Sequence, residues 1–293
     1  MSYNRRTFMK LSGGLTGSFI LGNLTSLASF SGIGNTETKL KNFGIQLYTL
    51  RDIIPKDPKE VLKQLAAFGY RQIESYEGAQ GMFWGMSNTG FKEYMDSLGM
   101  TIVSSHCDIN KDFERKAAEA AAIGMKYLIC PWKGPQKSLD AFKTFADEFN
   151  QKGEICKKNG IRFAYHNHDY SFKAMDGQLP QDVMMKGTDP SLVDFEMDIY
   201  WVVTGAQDPE VWFKKYKDRF RLCHIKDRSK TPVADNGKNS VDLGTGTIDF
   251  TRVLKTAKLN GMEYFIVEQE AYPNGSQLEA AKANAAYMKK LKI

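Results

Sequence analysis

One phrase recurs along this chain: an amphipathic helical stretch, a glycine, a short apolar run and a polar residue at its end. It occurs as Gly69-Tyr70-Arg71-Gln72-Ile73-Glu74 and as Gly99-Met100-Thr101-Ile102-Val103-Ser104-Ser105-His106. It returns as Gly124 leading to Leu128-Ile129-Cys130, as Gly160 leading to Phe163-Ala164-Tyr165-His166, and as Gly261 leading to Phe265-Ile266-Val267-Glu268. A glycine behind a helix takes the left-handed cap that a side chain resists, and an apolar run after it suits a strand buried on both faces. Asp57-Pro58 and Asp208-Pro209 mark helix starts, as N-cap followed by first-turn proline. Phe43 to Leu47, Leu192 to Asp198 and Phe220 to Lys226 supply three more strands, which makes eight. Eight strands alternating with helices predict an α/β fold, a single-domain (β/α)8 TIM barrel. A doubly wound open sheet is the alternative, but no Gly-x-Gly-x-x-Gly follows the first strand.

The length of 293 residues and the 42% hydrophobic content suit one such domain, placed at 42–293 behind a short linker at 32–41. Glu77 to Asn88 and Ser229 to Thr247 are the loops expected to act as lids. Residues 1–31 read as a leader. Asn4-Arg5-Arg6-Thr7-Phe8-Met9-Lys10, followed by a mildly apolar Gly/Ser-rich run, resembles a twin-arginine signal. The resemblance implies the twin-arginine export machinery as a partner and a periplasmic destination. A basic start before a membrane anchor is the other reading, against which Gly13, Gly14, Gly17 and Gly22 make a poor spanning helix. The formal charge is +6, and removing a leader with three cations and no acidic residue leaves +3. No basic block or aromatic-interleaved basic stripe marks a nucleic-acid surface. Cys107, Cys130, Cys156 and Cys223 lie far apart, without a CxxC, and read as buried thiols rather than disulfides.

In a barrel of this kind the chemistry sits at the carboxyl ends of the strands. Here those ends carry Glu74, His106, His166 with His168, Glu196 with Asp198, His224 with Asp227, and Glu268 with Glu270, a set that includes all four histidines of the chain. Residues i and i+2 of a strand share a face, so Glu196 and Asp198 project together. Two ionised carboxylates there need a cation: either a divalent metal or, for Glu196, a Lys or Arg lower in the barrel.

Five phrases then make a resemblance explicit: Tyr165-His166-Asn167-His168-Asp169-Tyr170, Met197-Asp198-Ile199-Tyr200-Trp201, His224-Ile225-Lys226-Asp227, Gly244-Thr245-Gly246-Thr247-Ile248-Asp249 and Val267-Glu268-Gln269-Glu270. In this order, over about 40–290, the chain resembles the xylose-isomerase-like superfamily, whose sugar isomerases and epimerases share a barrel with endonuclease IV. The resemblance implies one divalent ion, Mn²⁺, Co²⁺, Zn²⁺ or Fe²⁺, held by Asp198, His224, Glu268 and a strand-five residue. The family's strand-five Glu-x-His falls on His166-Asn167-His168, so His166 replaces the glutamate and half of the epimerases' proton-transfer pair is missing.

What this implies is a metal-dependent sugar isomerase or epimerase that removes a proton next to a sugar carbonyl and passes through an enediolate stabilised by the ion. Glu268 and His168 are the acid/base candidates. Glu74, His106, Lys226 and Asp227 are expected on the substrate, and Trp84 and Trp201 either stack on a sugar face or pack in core and lid. The substrate is a small sugar or glycoside. A lyase eliminating an aglycone from a 3-keto-glycoside shares the same first step and is the principal alternative; a non-catalytic carbohydrate-binding protein is a further one. An endonuclease IV-like nuclease needs more histidines and an Asp-x-x-His at strand six, where this chain has Asp198-Ile199-Tyr200-Trp201.

Overall fold

A computed structural model describes residues 39–40, 42–233 and 238–293. The Arg5-Arg6 segment, read from the sequence as a leader, lies outside the described residues. Eight parallel strands close a barrel: β1 (Gly44–Gln46), β2 (Gln72–Tyr76), β3 (Thr101–His106), β4 (Tyr127–Cys130), β5 (Arg162–His166), β6 (Val193–Asp198), β7 (Phe220–Ile225) and β8 (Tyr264–Val267). Each pairs with its sequence neighbours, and β8 returns to β1 by pairing Gly44 with Ile266 and Ile45 with Val267.

Nine helices are described: α1 (Pro58–Phe68), α2 (Asn88–Ser97), α3 (Phe113–Ala122), α4 (Leu139–Lys158), α5 (Pro180–Gly187), α6 (Ile199–Thr204), α7 (Pro209–Lys215), α8 (Phe250–Leu259) and α9 (Gln277–Met288). The glycines of the repeated phrase follow α1, α2, α3, α4 and α8, with φ of +104°, +65°, +79°, +77° and +97° at Gly69, Gly99, Gly124, Gly160 and Gly261. That is the left-handed region the phrase requires. The N-caps also form: an Asp57 carboxylate oxygen accepts from the Glu60 N–H at 3.0 Å, and one of Asp208 from the Glu210 N–H at 2.9 Å. No described helix is long and apolar enough to cross a membrane.

The main core lies between strands and helices and takes in Phe91, Phe113, Phe149, Phe163, Phe195 and Phe220. A small separate cluster joins Tyr127, Ile129, Ala164 and Leu222, with Tyr264 packed against it. Ala164 and Leu222 precede His166 and His224 by two residues on the same strand faces, so this cluster underlies the polar end of the barrel. All four cysteines are buried and free. The loop from Glu77 to Ser87 is not an open lid but is packed down. Met82, Phe83 and Trp84 are buried, the Ser75 hydroxyl donates to the Met82 carbonyl at 2.7 Å, and Trp84 Nε1–H donates to the Ser75 hydroxyl at 3.1 Å.

Candidate metal centre and active site

Strand register brings the polar ends together: His166 pairs with Glu196 across β5 and β6, and Asp198 with His224 across β6 and β7. His166, Asp198, His224 and Glu268 each place a ligand-type atom within 4.8 Å of the others. A second group of the same kind joins Glu74, His106, Glu196 and His224. His224 serves both through opposite ring nitrogens. Its Nδ1 is 3.1 Å from Glu268 Oε2 and 3.8 Å from Asp198 Oδ2, whereas its Nε2 is 2.6 Å from Glu74 Oε1 and 3.3 Å from Glu196 Oε2.

The first group fits a divalent ion by its unsatisfied atoms. His166 Nδ1 lies 3.3 Å from the Pro131 carbonyl; a proton donated there leaves Nε2, which is buried without a hydrogen-bond partner, as the lone-pair nitrogen. Asp198 divides its oxygens. Oδ1 caps α6 by accepting from the Trp201 N–H at 3.1 Å, and Oδ2 has no hydrogen bond, although Lys226 Nζ stands 3.0 Å away as an ion pair. Asn167 locks the two strand ends, donating to the Asp198 carbonyl and accepting its N–H, both at 3.2 Å. Buried polar atoms left open are rare, and two nitrogens with two carboxylate oxygens are a donor set for Mn²⁺, Co²⁺, Zn²⁺ or Fe²⁺.

The electrostatics are set by buried carboxylates. Burial alone would raise Asp198 and Glu268, but Lys226, together with His166 beside Asp198 and His224 beside Glu268, holds both well below the usual carboxylate range. Burial alone would lower Lys226, yet Asp198, Glu268 and Glu270 hold it well above its ordinary value. In the second group, burial and the neighbouring Glu74 push Glu196 well up, while burial pulls His106 down to about 4. Glu196 Oε2 and His106 Nε2 stand 2.7 Å apart as a hydrogen-bonded pair. His224 is raised, against burial, by Glu196, Glu268 and Glu74, and its Nε2–H donates to an ionised Glu74 held near 2 by His106 and His224. Glu196 thus finds an imidazole rather than a Lys or Arg.

Several residues expected on the substrate stand elsewhere. Glu74 is wholly buried beneath His224: Oε1 accepts from Gln46 Nε2 at 2.8 Å and from His224 Nε2 at 2.6 Å, and Oε2 accepts from the Ser104 hydroxyl at 2.6 Å. Its lone pairs are used in steadying the imidazole rather than in orienting sugar hydroxyls. Asp227 is also committed. Its two oxygens accept backbone N–H groups from Arg228 (2.8 Å), Gly244 (2.9 Å), Gly246 (2.9 Å) and Ile248 (3.2 Å), which staples the loop after β7. A Cβ on Gly246 would meet Asp227 Oδ1 at 2.2 Å, which explains the glycine in the Gly-Thr-Gly-Thr phrase. Trp84 is buried and packs edge-on against Tyr76 at 4.9 Å. Lys226, expected on the substrate, sits among the ligand oxygens.

The others converge on the site. His106 is 8% exposed and lines a cavity beside it. Trp201 and His168 rings are 5.2 Å apart, and Trp201 Nε1 and His168 Nδ1 are both buried without a hydrogen-bond partner. Burial, with His166 and Lys226 nearby, keeps His168 well below the ordinary imidazole value. Sequence reasoning missed Gln46, Ser104 and Asn167. Asn167 could have been found inside the His-x-His phrase.

A family-wide pattern described as Xylose isomerase-like TIM barrel matches residues 62–291. An inosose dehydratase of Clostridium perfringens is 28% identical over 164 residues, which are 51% of this chain and 54% of that protein. The chain spans about half the length of the curated relatives it matches. Two crystal structures of sugar phosphate isomerase/epimerases from Parabacteroides distasonis ATCC 8503 are similar over more of their length. One is 31% identical with a TM-score of 0.74, covering 86% of this chain and 98% of its own. The other is 30% identical with a TM-score of 0.72, covering 85% and 94%. With the barrel closed, the match spanning most of it and the ligand-type side chains gathered at its carboxyl end, the chain belongs to the xylose isomerase-like TIM-barrel family.

Proposed function

We propose that this protein is a divalent-metal-dependent carbon–oxygen lyase acting on a keto sugar, removing the proton beside the carbonyl and expelling an oxygen substituent from the next carbon. The observation that carries this reading is the lopsided set of groups around the ion site. Strand five offers His166 and His168 where a symmetrical two-carboxylate exchange would need a glutamate. Epimerisation returns a proton to the opposite face of the same carbon and calls for two matched bases; elimination calls for one base and one acid of different kinds. The similarity to inosose dehydratases, whose name is that of an elimination, supports it. The isomerase or epimerase reading keeps the support of the Parabacteroides distasonis relatives.

A divalent ion on His166, Asp198, His224 and Glu268 would supply Lewis-acid polarisation of the substrate carbonyl. His168, whose buried Nδ1 has no hydrogen-bond partner, takes the proton. The C–H electron pair becomes the new C=C bond, the C–O bond on the adjoining carbon breaks, and the departing oxygen takes a proton from water. The hydroxide so formed takes the proton back from His168, and Lys226 stays an ammonium paired with the carboxylates around it. Trp201 Nε1–H, likewise unpartnered, donates to a substrate hydroxyl. The test is a panel of free ketoses and 3-keto-glycosides offered to metal-loaded and to exhaustively chelated protein. Turnover of a keto-glycoside that vanishes on chelation and returns with a divalent ion is expected, and full activity after chelation contradicts the reading.

A further inference from the structure

We propose that the cavity beside the metal centre is a subsite for a flat aryl aglycone, so that the glycosides this protein takes carry an aromatic group on the leaving oxygen. The proposal rests on the keto-sugar lyase reading for the sugar half of the substrate. The cavity holds about 360 Å³ and is lined by Tyr48, Tyr76, His106, Cys107, Lys111 and Pro131 among others. A second, of about 340 Å³, shares Cys107, Asp108 and Pro131 and takes in Trp132 and Lys133. Pockets of this size take a ring and its substituents.

Two residues tie the space to the ion ligands. His106, on its wall, has its ring 5.1 Å from that of His166 and 5.4 Å from that of His224. Pro131, on both walls, is the residue whose carbonyl faces His166 Nδ1. A sugar carbonyl placed at the ligand atoms therefore leaves its neighbouring substituent one ring away, at His106. Aromatic faces wait there: Tyr48 is 41% and Trp132 52% exposed, and they are the exposed large aromatics among the described residues. Both are held in place. Tyr48 packs edge-on with Tyr76 at 5.2 Å under the Arg51 guanidinium, and Trp132 packs edge-on against His168 at 4.5 Å and Tyr170 at 4.8 Å. Pre-set aromatic walls bind a flat partner without an ordering cost.

Glu77, one of the charged residues lining the cavity, is already engaged: its Oε2 accepts from Lys116 Nζ at 2.6 Å and from the Asp108 N–H at 2.8 Å. Asp108 and Lys111 line it as exposed residues, so the exposed aromatic surface of Tyr48, and not the polar groups, is what favours a flat apolar ring.

The experiment compares a 3-keto-glucoside bearing a phenyl aglycone with its methyl and its glucosyl counterparts on the metal-loaded full chain. The phenyl compound is expected to lead in kcat/KM by on the order of tenfold or more, from its better leaving group and the aromatic contacts together, and the variants separate the two. Tyr48→Ala and Trp132→Ala should each bring the phenyl-to-methyl ratio toward one, while Tyr48→Phe keeps it. A ratio unchanged in both alanine variants, or a glucosyl compound that outranks the phenyl one, overturns the subsite. Should wild-type protein release no aglycone at all, the lyase reading fails by itself. Calorimetric titration with the same three compounds then decides the subsite: tighter phenyl binding that Trp132→Ala abolishes upholds it, and equal binding refutes it.

Discussion

His224→Ala is expected to strip the divalent ion from the protein and to weaken the barrel in the same step. His224 is the one side chain that both ligand groups share, and it is fully buried. Losing an outer partner of a metal ligand costs about 10- to 100-fold in metal affinity, so losing the ligand itself should cost on the order of 100-fold or more. The change also removes one of the two donors to Glu74 Oε1 and the neighbour of Glu268 Oε2. Breaking one side of a buried charged contact costs about 3–5 kcal/mol, because the other side stays buried. Elemental analysis and urea unfolding on the same preparation check the two halves. Retained metal with an unchanged unfolding midpoint contradicts the account, whereas Glu74→Gln, which keeps a polar partner under the ring, should give a milder loss of both.

His168→Gln is expected to leave metal content near the wild-type level and to lower kcat by about 10²- to 10⁴-fold, the range typical of a lost general base. His168 is outside the four-residue ligand group, yet its ring is 4.8 Å from that of His166 and its Nδ1 is open. Glu268→Gln should behave differently. Glu268 Oε2 is already engaged by His224 Nδ1 at 3.1 Å and by Lys226 Nζ at 3.0 Å, so losing its charge should weaken ion binding as well as turnover. If Glu268→Gln keeps its metal and loses turnover while His168→Gln stays active, the base is Glu268 and the assignment of His168 is wrong.

The barrel was legible because its punctuation is local. A left-handed glycine after a helix is a requirement of a few residues, and the same phrase at Gly69, Gly99, Gly124, Gly160 and Gly261 marks strand after strand. The strand-end polar residues followed from that placement, and His166, Asp198, His224 and Glu268 meet because adjacent strands are in register at those positions. Depth within the barrel was not legible. The apolar run before Glu74 reads as ending there, but β2 continues to Tyr76, so Glu74 sits one step lower than a strand-end residue and meets Gln46 and Ser104 from neighbouring strands. The partners of Asp227 were not legible for a related reason. The amides it accepts come from up to 21 residues downstream, along a loop path that no periodicity in the sequence describes. For Trp84 the sequence left stacking on a sugar and packing in core and lid both open, since its partner Ser75 is reached only by the folding back of an irregular loop.

The central claim is that a proton beside a keto-sugar carbonyl leaves and a carbon–oxygen bond then breaks. Its most direct test is the reaction of the metal-loaded protein with a phenyl 3-keto-glucoside in deuterated buffer, followed by mass spectrometry and proton NMR of the products. The account predicts free phenol and an unsaturated keto sugar in equal amounts, with neither formed after chelation. An intact glycoside that has only gained deuterium, or changed configuration, at the carbon beside the carbonyl would contradict it and return the protein to the isomerase and epimerase reading.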